Sequence, residues 1–172
     1  HIAMISSGRT PIDERRDEFL REKGFPGMSS KKKKLLSSPE IQILLNLLKV
    51  ALCKNDEVAL LSILMSNFVR LDANEIYRLK KKDVSLFEAV KENHAEVFEM
   101  ISTFKKNGEV FGYRRAFEML FDATNYYSYI NQKGNLRFSV QKFLEEIESS
   151  TFNFDLPSLI SYFENVDVLD GE

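Results

Sequence analysis

A chain of 172 residues has room for one domain and a small appendage, and with 44% hydrophobic and 29% charged residues it needs no disulfide or metal staple to hold a core. Its net charge of −2, from 24 Lys and Arg against 26 Asp and Glu, excludes a dedicated, strongly basic nucleic-acid binder but leaves room for a local basic patch. One cysteine excludes an internal disulfide, no apolar run reaches the roughly 18 residues of a membrane span, and the N-terminus lacks a signal-peptide profile, so a reducing, cytoplasmic setting without membrane contact is expected.

Ile2 to Ile5 form an apolar run of strand length, followed by the breaker Ser6-Ser7-Gly8. Thr10 to Gly24 carries helix punctuation, with a capping Thr10, Pro11 in the first turn, Asp13 and Glu14 at the positive end, and a closing Gly24. A lone strand and helix cannot make a core, so this segment reads as the edge of an α/β neighbour. The stretch from Phe25 to Ser38, with Lys31, Lys32, Lys33 and Lys34 in succession, reads as a loop. The abrupt start and the closing Val166 to Glu172, which carries no helix signature, are expected to be cut ends of a longer chain.

From Ser37 the pattern is helical. Ser37 with Glu40, and Pro39 between them, make a capping box before Ile41, Leu44, Leu45, Leu47, Leu48 and Ala51, which cover more than one face and mark a central helix. Asn55 opens the next helix, with Val58, Leu61, Ile63, Leu64 and Met65 expected inside, and Cys53 before it expected as a buried, reduced thiol. Ser66 to Leu71 break the pattern. Further capping boxes follow at Asp72 with Glu75, Ser85 with Glu88, and Asn93 with Glu96. Val97, Ile101 and Phe104 recur at helical period up to Gly108; Phe117, Leu120 and Phe121 share a side; Asn135 caps a helix with Val140, Phe143, Leu144 and Ile147 inward; Asp155 precedes the last. The sum is an all-α, irregular domain of about eight helices after Ser37, behind a short strand–helix segment.

Catalytic chemistry is sought without success. There is no glycine-rich phosphate loop, and one cysteine with two histidines offers neither zinc spacing nor a nucleophile pair. His94 at a helix start is a capping or surface residue, and the carboxylates of residues 13–18 and 145–148 continue solvated helix faces. Two groups of residues could form contact surfaces. One is basic: Lys31 to Lys34, and Arg78, Lys80, Lys81 and Lys82. Lysines neutralise phosphates without reading sequence, though a solvated loop and a dipole-compensating helix end are the first account of them. The other is aromatic: Phe111, Tyr113, Phe117, Phe121, Tyr126, Tyr127 and Tyr129, with Arg114 and Arg115 among them. Such rings beside arginines stack single-stranded bases, but at helical spacing they belong first in a core.

The order of these elements resembles the accessory 2B subdomain of superfamily 1 DNA helicases of the UvrD/Rep type, and most of all the helicase–nuclease subunits AddA and RecB. The resemblance rests on GRTPIDERRDEFLREKGFP, SSPEIQILLNLLKVAL, NDEVALLSILMSNFVRLDANEIYRL and VSLFEAV, then YYSYINQKGNLRFSVQKFLEEIE and LPSLISYFENV. It is strongest from Ser37 to Leu79. It implies that residues 1–36 are a strand–helix–loop piece of the second RecA-like motor domain (2A), that 37–166 form the helical 2B-like module, and that 167–172 return toward the motor. It further implies an accessory role in DNA unwinding and recombinational repair, with no catalysis in this chain. No cofactor is expected in this chain; ATP and Mg²⁺ would belong to the missing motor domains of the parent, and a nuclease subunit is an expected partner. The family's glycine in the joint after the Leu-rich helix, part of a duplex-contacting hairpin, is missing from NFVRLD, and Val140 replaces a frequent asparagine. The family's hairpin contact is therefore not carried over to Phe68, Val69 and Arg70, and contact with double-stranded or tailed DNA is expected on backbone phosphates alone, from Arg70, Arg78, Lys80, Lys81 and Lys82. A free-standing helical protein-interaction module without a nucleic-acid role is the alternative.

Overall fold

The computed structural model describes the backbone of residues 30–171 and the side chains of residues 32–165. Among them are ten helices and no strand. These are α1 (Ser30–Leu36), α2 (Pro39–Leu52), α3 (Glu57–Met65), α4 (Ala73–Lys80), α5 (Leu86–Asn93), α6 (Ala95–Phe111), α7 (Tyr113–Ala123), α8 (Tyr126–Asn131), α9 (Gly134–Ser149) and α10 (Leu156–Gly171). The all-α expectation holds. The strand and helix expected within residues 2–24 lie outside the described residues.

Several boundaries differ from the sequence reading. The lysine run is not all loop: residues 30–36 are helical, and α1 packs on α2, α9 and α10 with Leu36 fully inside the core. Lys32 is fixed there by Glu146 at 2.6 Å and by the Tyr162 hydroxyl at 3.2 Å. The helix expected to stop at Gly108 runs on to Phe111, because Gly112, at φ 92°, is the residue that turns the chain into α7. The backbone after residue 166, expected without a helix, continues α10 to Gly171.

The central element is α2, as its broad apolar face predicts. Its Ile41, Leu44, Leu47, Leu48 and Val50 have no exposed surface, and it packs on α3, α6, α9 and α10. The second helix departs from expectation. Val58 is 77% and Met65 61% exposed, while Ala59, Leu60, Ile63 and Leu64 carry the burial. Position 58 lies in the first turn and 65 is the last residue, both off the face that Ala59, Leu60, Ile63 and Leu64 turn inward. Cys53 is likewise exposed rather than buried, since it caps the C-terminus of α2 in extended backbone and points out of the apolar face.

An aromatic spine runs through the second half of the core. Tyr113, Phe117, Phe121 and Tyr126 are fully buried, with Phe104 edge-on to Phe117 at 4.8 Å and Phe121 stacked on Tyr126 at 4.7 Å. Each such pair adds about 0.5–1.5 kcal/mol beyond its burial. Gly108 lets α6 and α7 approach closely, because a Cβ there would stand 2.1 Å from the Tyr113 ring.

Candidate nucleic-acid interface

The basic residues are positioned by α4. Asp72 closes its N-terminus, its Oδ1 accepting the Glu75 N–H at 2.9 Å. Ile76 and Leu79, three residues apart, turn inward, which leaves Tyr77, Arg78 and Lys80 on the solvent side, and Lys81 and Lys82 continue into an exposed turn. Cations at a helix C-terminus also offset the exposed carbonyls there.

The five expected residues are not equivalent. Arg78 Nη1 donates to Glu75 Oε1 at 3.0 Å, so its charge is partly spent within the helix. The same carboxylate lies 3.6 Å from His94 Nε2, which ties α4 to the α5–α6 junction. Lys81 Nζ sits over the Tyr77 ring, 4.6 Å from its centre. Lys80 and Lys82 are exposed, and no carboxylate among the described residues lies within ion-pair distance of either. Arg70 stands at the other end of α4, a helix about 12 Å long, so the structure gathers Lys80, Lys81 and Lys82 and leaves Arg70 apart from them.

Arg70 occupies an unusual turn. After α3 ends, Ser66 Oγ donates to the Ile63 carbonyl at 2.6 Å and accepts the Phe68 N–H at 3.2 Å. The Arg70 N–H then reaches back to the Ser66 carbonyl at 2.8 Å, and Leu71 N–H to Leu64 at 2.9 Å. Closing that loop puts Arg70 at φ 63°, the left-handed region that glycine favours. Phe68 is buried within the joint, stacked on Tyr126 at 4.4 Å, and so anchors the turn rather than reaching outward.

The aromatic surface is not a stacking platform. Tyr113, Phe117, Phe121 and Tyr126 are core, Tyr127 and Tyr129 are half-buried, and Phe111 is exposed without the others. Its arginines are committed elsewhere, Arg114 to Glu148 at 2.8 Å and Glu118 at 3.7 Å, and Arg115 to Glu118 at 3.6 Å. Burial raises the phenols of Tyr113 and Tyr126 well above their ordinary value. Glu109 and Asp155 add to the first, and Glu40 to the second. Among the described residues the Tyr126 hydroxyl nonetheless has no acceptor in hydrogen-bonding geometry.

Two concavities were not legible in the sequence. A groove of about 640 Å³ lies where α2 and α9 begin, with Glu40, Ile43, Met65, Tyr129 and Lys133 on its walls. A cleft of about 350 Å³ lies at the end of α2 and is lined by Lys54, Lys105 and Lys106. Lys54 is separated by fifty residues from the other two, and only the packing of α2 against α6 brings them together. The adjacent lysines at 105 and 106 are visible in the sequence; their opposite number is not. Among the described residues no group of three or more His, Cys, Asp and Glu side chains converges as a metal site, and no helix is long and apolar enough to cross a membrane. Comparison with protein-family models, with curated proteins and with solved structures finds no match to this chain.

Proposed function

We propose that this chain is the accessory, non-catalytic 2B-like domain of an ATP-dependent DNA helicase or helicase–exonuclease of the UvrD/Rep type, most like AddA and RecB, with the residues ahead of α1 belonging to the second motor domain; residues 30–36, assigned to the motor by the resemblance, pack instead in the helical core. The observation that carries the reading is the joint between α3 and α4. The resemblance puts a glycine in that joint, and the chain takes the left-handed backbone of a glycine at Arg70. Holding an arginine there costs about 1–2 kcal/mol, which makes sense if its charge is used. Lys80 and Lys82, with no carboxylate in ion-pair distance among the described residues, follow at the far end of the same helix. On this reading the apolar α3 anchors the module and α4 presents cations to the phosphates of double-stranded or tailed DNA. ATP and Mg²⁺ act in the motor domains of the parent, which with a nuclease subunit are the protein partners.

The test is anisotropy of a fluorescent tailed duplex against the whole 172-residue chain across a salt series. Reversal of Lys80, Lys81 and Lys82 to Glu is expected to flatten the slope of log affinity against log salt by about 3, near 0.9 per lost phosphate contact. An unchanged slope and affinity sink the reading.

One observation favours the alternative of a protein-interaction module. The Tyr113 N–H bonds the Asn153 carbonyl at 2.7 Å, which brings the chain beside Phe111 close to that beside Phe154, and both rings are more than half exposed. Two exposed aromatics on adjoining segments suit a protein partner better than a phosphate backbone. A duplex-binding result that ignores Lys80, Lys81 and Lys82 moves the weight to that surface.

A further inference from the structure

We infer that the cleft between the end of α2, the α2–α3 turn, α5 and α6 is a phosphate-binding site. Its lining brings Lys54, Lys105 and Lys106 together with the Asn55 amide, the Ser102 hydroxyl and one wall of the Phe87 ring. Glu109 is the single carboxylate on that lining, so the cleft carries an excess of two positive charges, three lysines less one glutamate.

The geometry is built rather than loose. Lys54 Nζ donates to Ser102 Oγ at 2.9 Å, which holds one ammonium across the cleft against α6. Lys54, Lys105 and Lys106 have no carboxylate within ion-pair distance among the described residues, whereas Lys32, Lys49 and Arg114 are paired with Glu146, Glu164 and Glu148. The backbone N–H groups of Lys54 and Asn55, in the turn, have no acceptor among the described residues either. Lys91 lies over Phe87, 6.0 Å from the ring centre, and adds a fourth cation beside the cleft.

A structural role accounts for part of this. Lys54 follows the C-terminus of α2 and offsets its exposed carbonyls. That role does not extend to Lys105 and Lys106, which lie inside α6 before its last turn. Like charges around one concavity repel one another, and the repulsion is relieved when an anion enters. Three ammonium groups, an amide and a hydroxyl outnumber what the two oxygens of a carboxylate satisfy and suit the several oxygens of a phosphate. The volume admits a short polyphosphate or one phosphodiester of a strand, with Phe87 beside it. This site is separate from the end of α4 and does not depend on the helicase reading.

The experiment is a titration of the ¹⁵N-labelled 172-residue chain, at ionic strength fixed with sodium chloride, by inorganic tripolyphosphate and in parallel by a short oligothymidylate. Both are expected to move the amides of Lys54, Asn55, Ser102, Lys105 and Lys106. Affinity for tripolyphosphate should fall about tenfold in Lys105→Gln/Lys106→Gln, which removes two charge-assisted contacts. Lys106 is exposed and Lys105 half-buried on α6, and an unchanged far-ultraviolet circular dichroism spectrum establishes that the double variant is folded. Shifts with both probes identify strand phosphates as the ligand, and shifts with tripolyphosphate alone identify a free polyphosphate. Failure of both probes to move these amides, or affinity unchanged in the double variant, overturns the assignment. Loss of duplex binding on reversal of Lys80, Lys81 and Lys82 leaves it standing.

Discussion

Arg70 is pulled in two directions. Its backbone asks for a residue without a Cβ, and its side chain supplies an exposed cation ahead of α4, at the end away from the lysines. Arg70→Gly separates the two. Relief of the left-handed strain, about 1–2 kcal/mol, exceeds the extra freedom glycine gives the unfolded chain, about 0.5–1 kcal/mol. The variant is therefore expected to be more stable by about 0.5–1 kcal/mol, read from the urea midpoint, while its duplex affinity at low salt falls. A variant that loses stability contradicts this account of the turn. The sequence shows that NFVRLD breaks a helix, but not which residue takes the left-handed position, because that is decided by where the Ser66 and Leu64 carbonyls are met. Cys53 was misread for a similar reason: the apolar run before it says nothing of which way a capping residue faces.

At the level of the helix, the sequence offers four capping boxes and the structure uses two. Asp72 accepts the Glu75 N–H and Ser85 accepts the Glu88 N–H at 3.2 Å. Ser37 instead donates to the Lys34 carbonyl at 2.8 Å, closing α1, and Ser38 takes the capping position of α2 without a side-chain bond. Asn93 donates back to the Ala89 carbonyl at 2.8 Å, and His94 stands between α5 and α6 in its place. In both failures an earlier helix ends within reach of the polar side chain and captures it, a competition invisible to a motif read four residues at a time. Asp72→Ala and Ser85→Ala are each expected to cost about 1 kcal/mol in chemical denaturation, with Asn93→Ala costing less than either. Equal costs at all three would mean that the boxes, not the bonds, govern these ends. The long, strongly periodic helices were legible for the opposite reason. In α2, α6 and α9 so many apolar residues are buried at helical spacing that no local alternative competes.

Across the whole molecule, the aromatic spine ties stability to alkaline pH. The folded chain holds the phenolic protons of Tyr113 and Tyr126 to higher pH than the unfolded chain, whose tyrosines titrate near 10. Their contribution is fully present below that value and is lost as pH rises past it toward the raised folded values. Each group then costs about 1.4 kcal/mol per pH unit, so near pH 11 the two together remove about 3 kcal/mol. Urea midpoints measured from neutral to alkaline pH should fall beyond pH 10 and fall less steeply in Tyr126→Phe. A flat profile to pH 11 would show that these phenols reach solvent. The composition of the spine was apparent from helical spacing, which favours a core over a base-stacking surface. The cationic cleft was not apparent, because its charges come from helices far apart in the chain.

The close approach of α6 and α7 makes residues 108 and 113 a single unit of variation. A side chain at 108 meets the Tyr113 ring, not a flexible chain end, and the ring is enclosed by the core and has nowhere to move. Glycine at the first position is the condition for a ring at the second. Among descendants of this sequence the two positions must therefore covary, and a chain that gains a methyl group at one is a chain that has already given up its aromatic at the other.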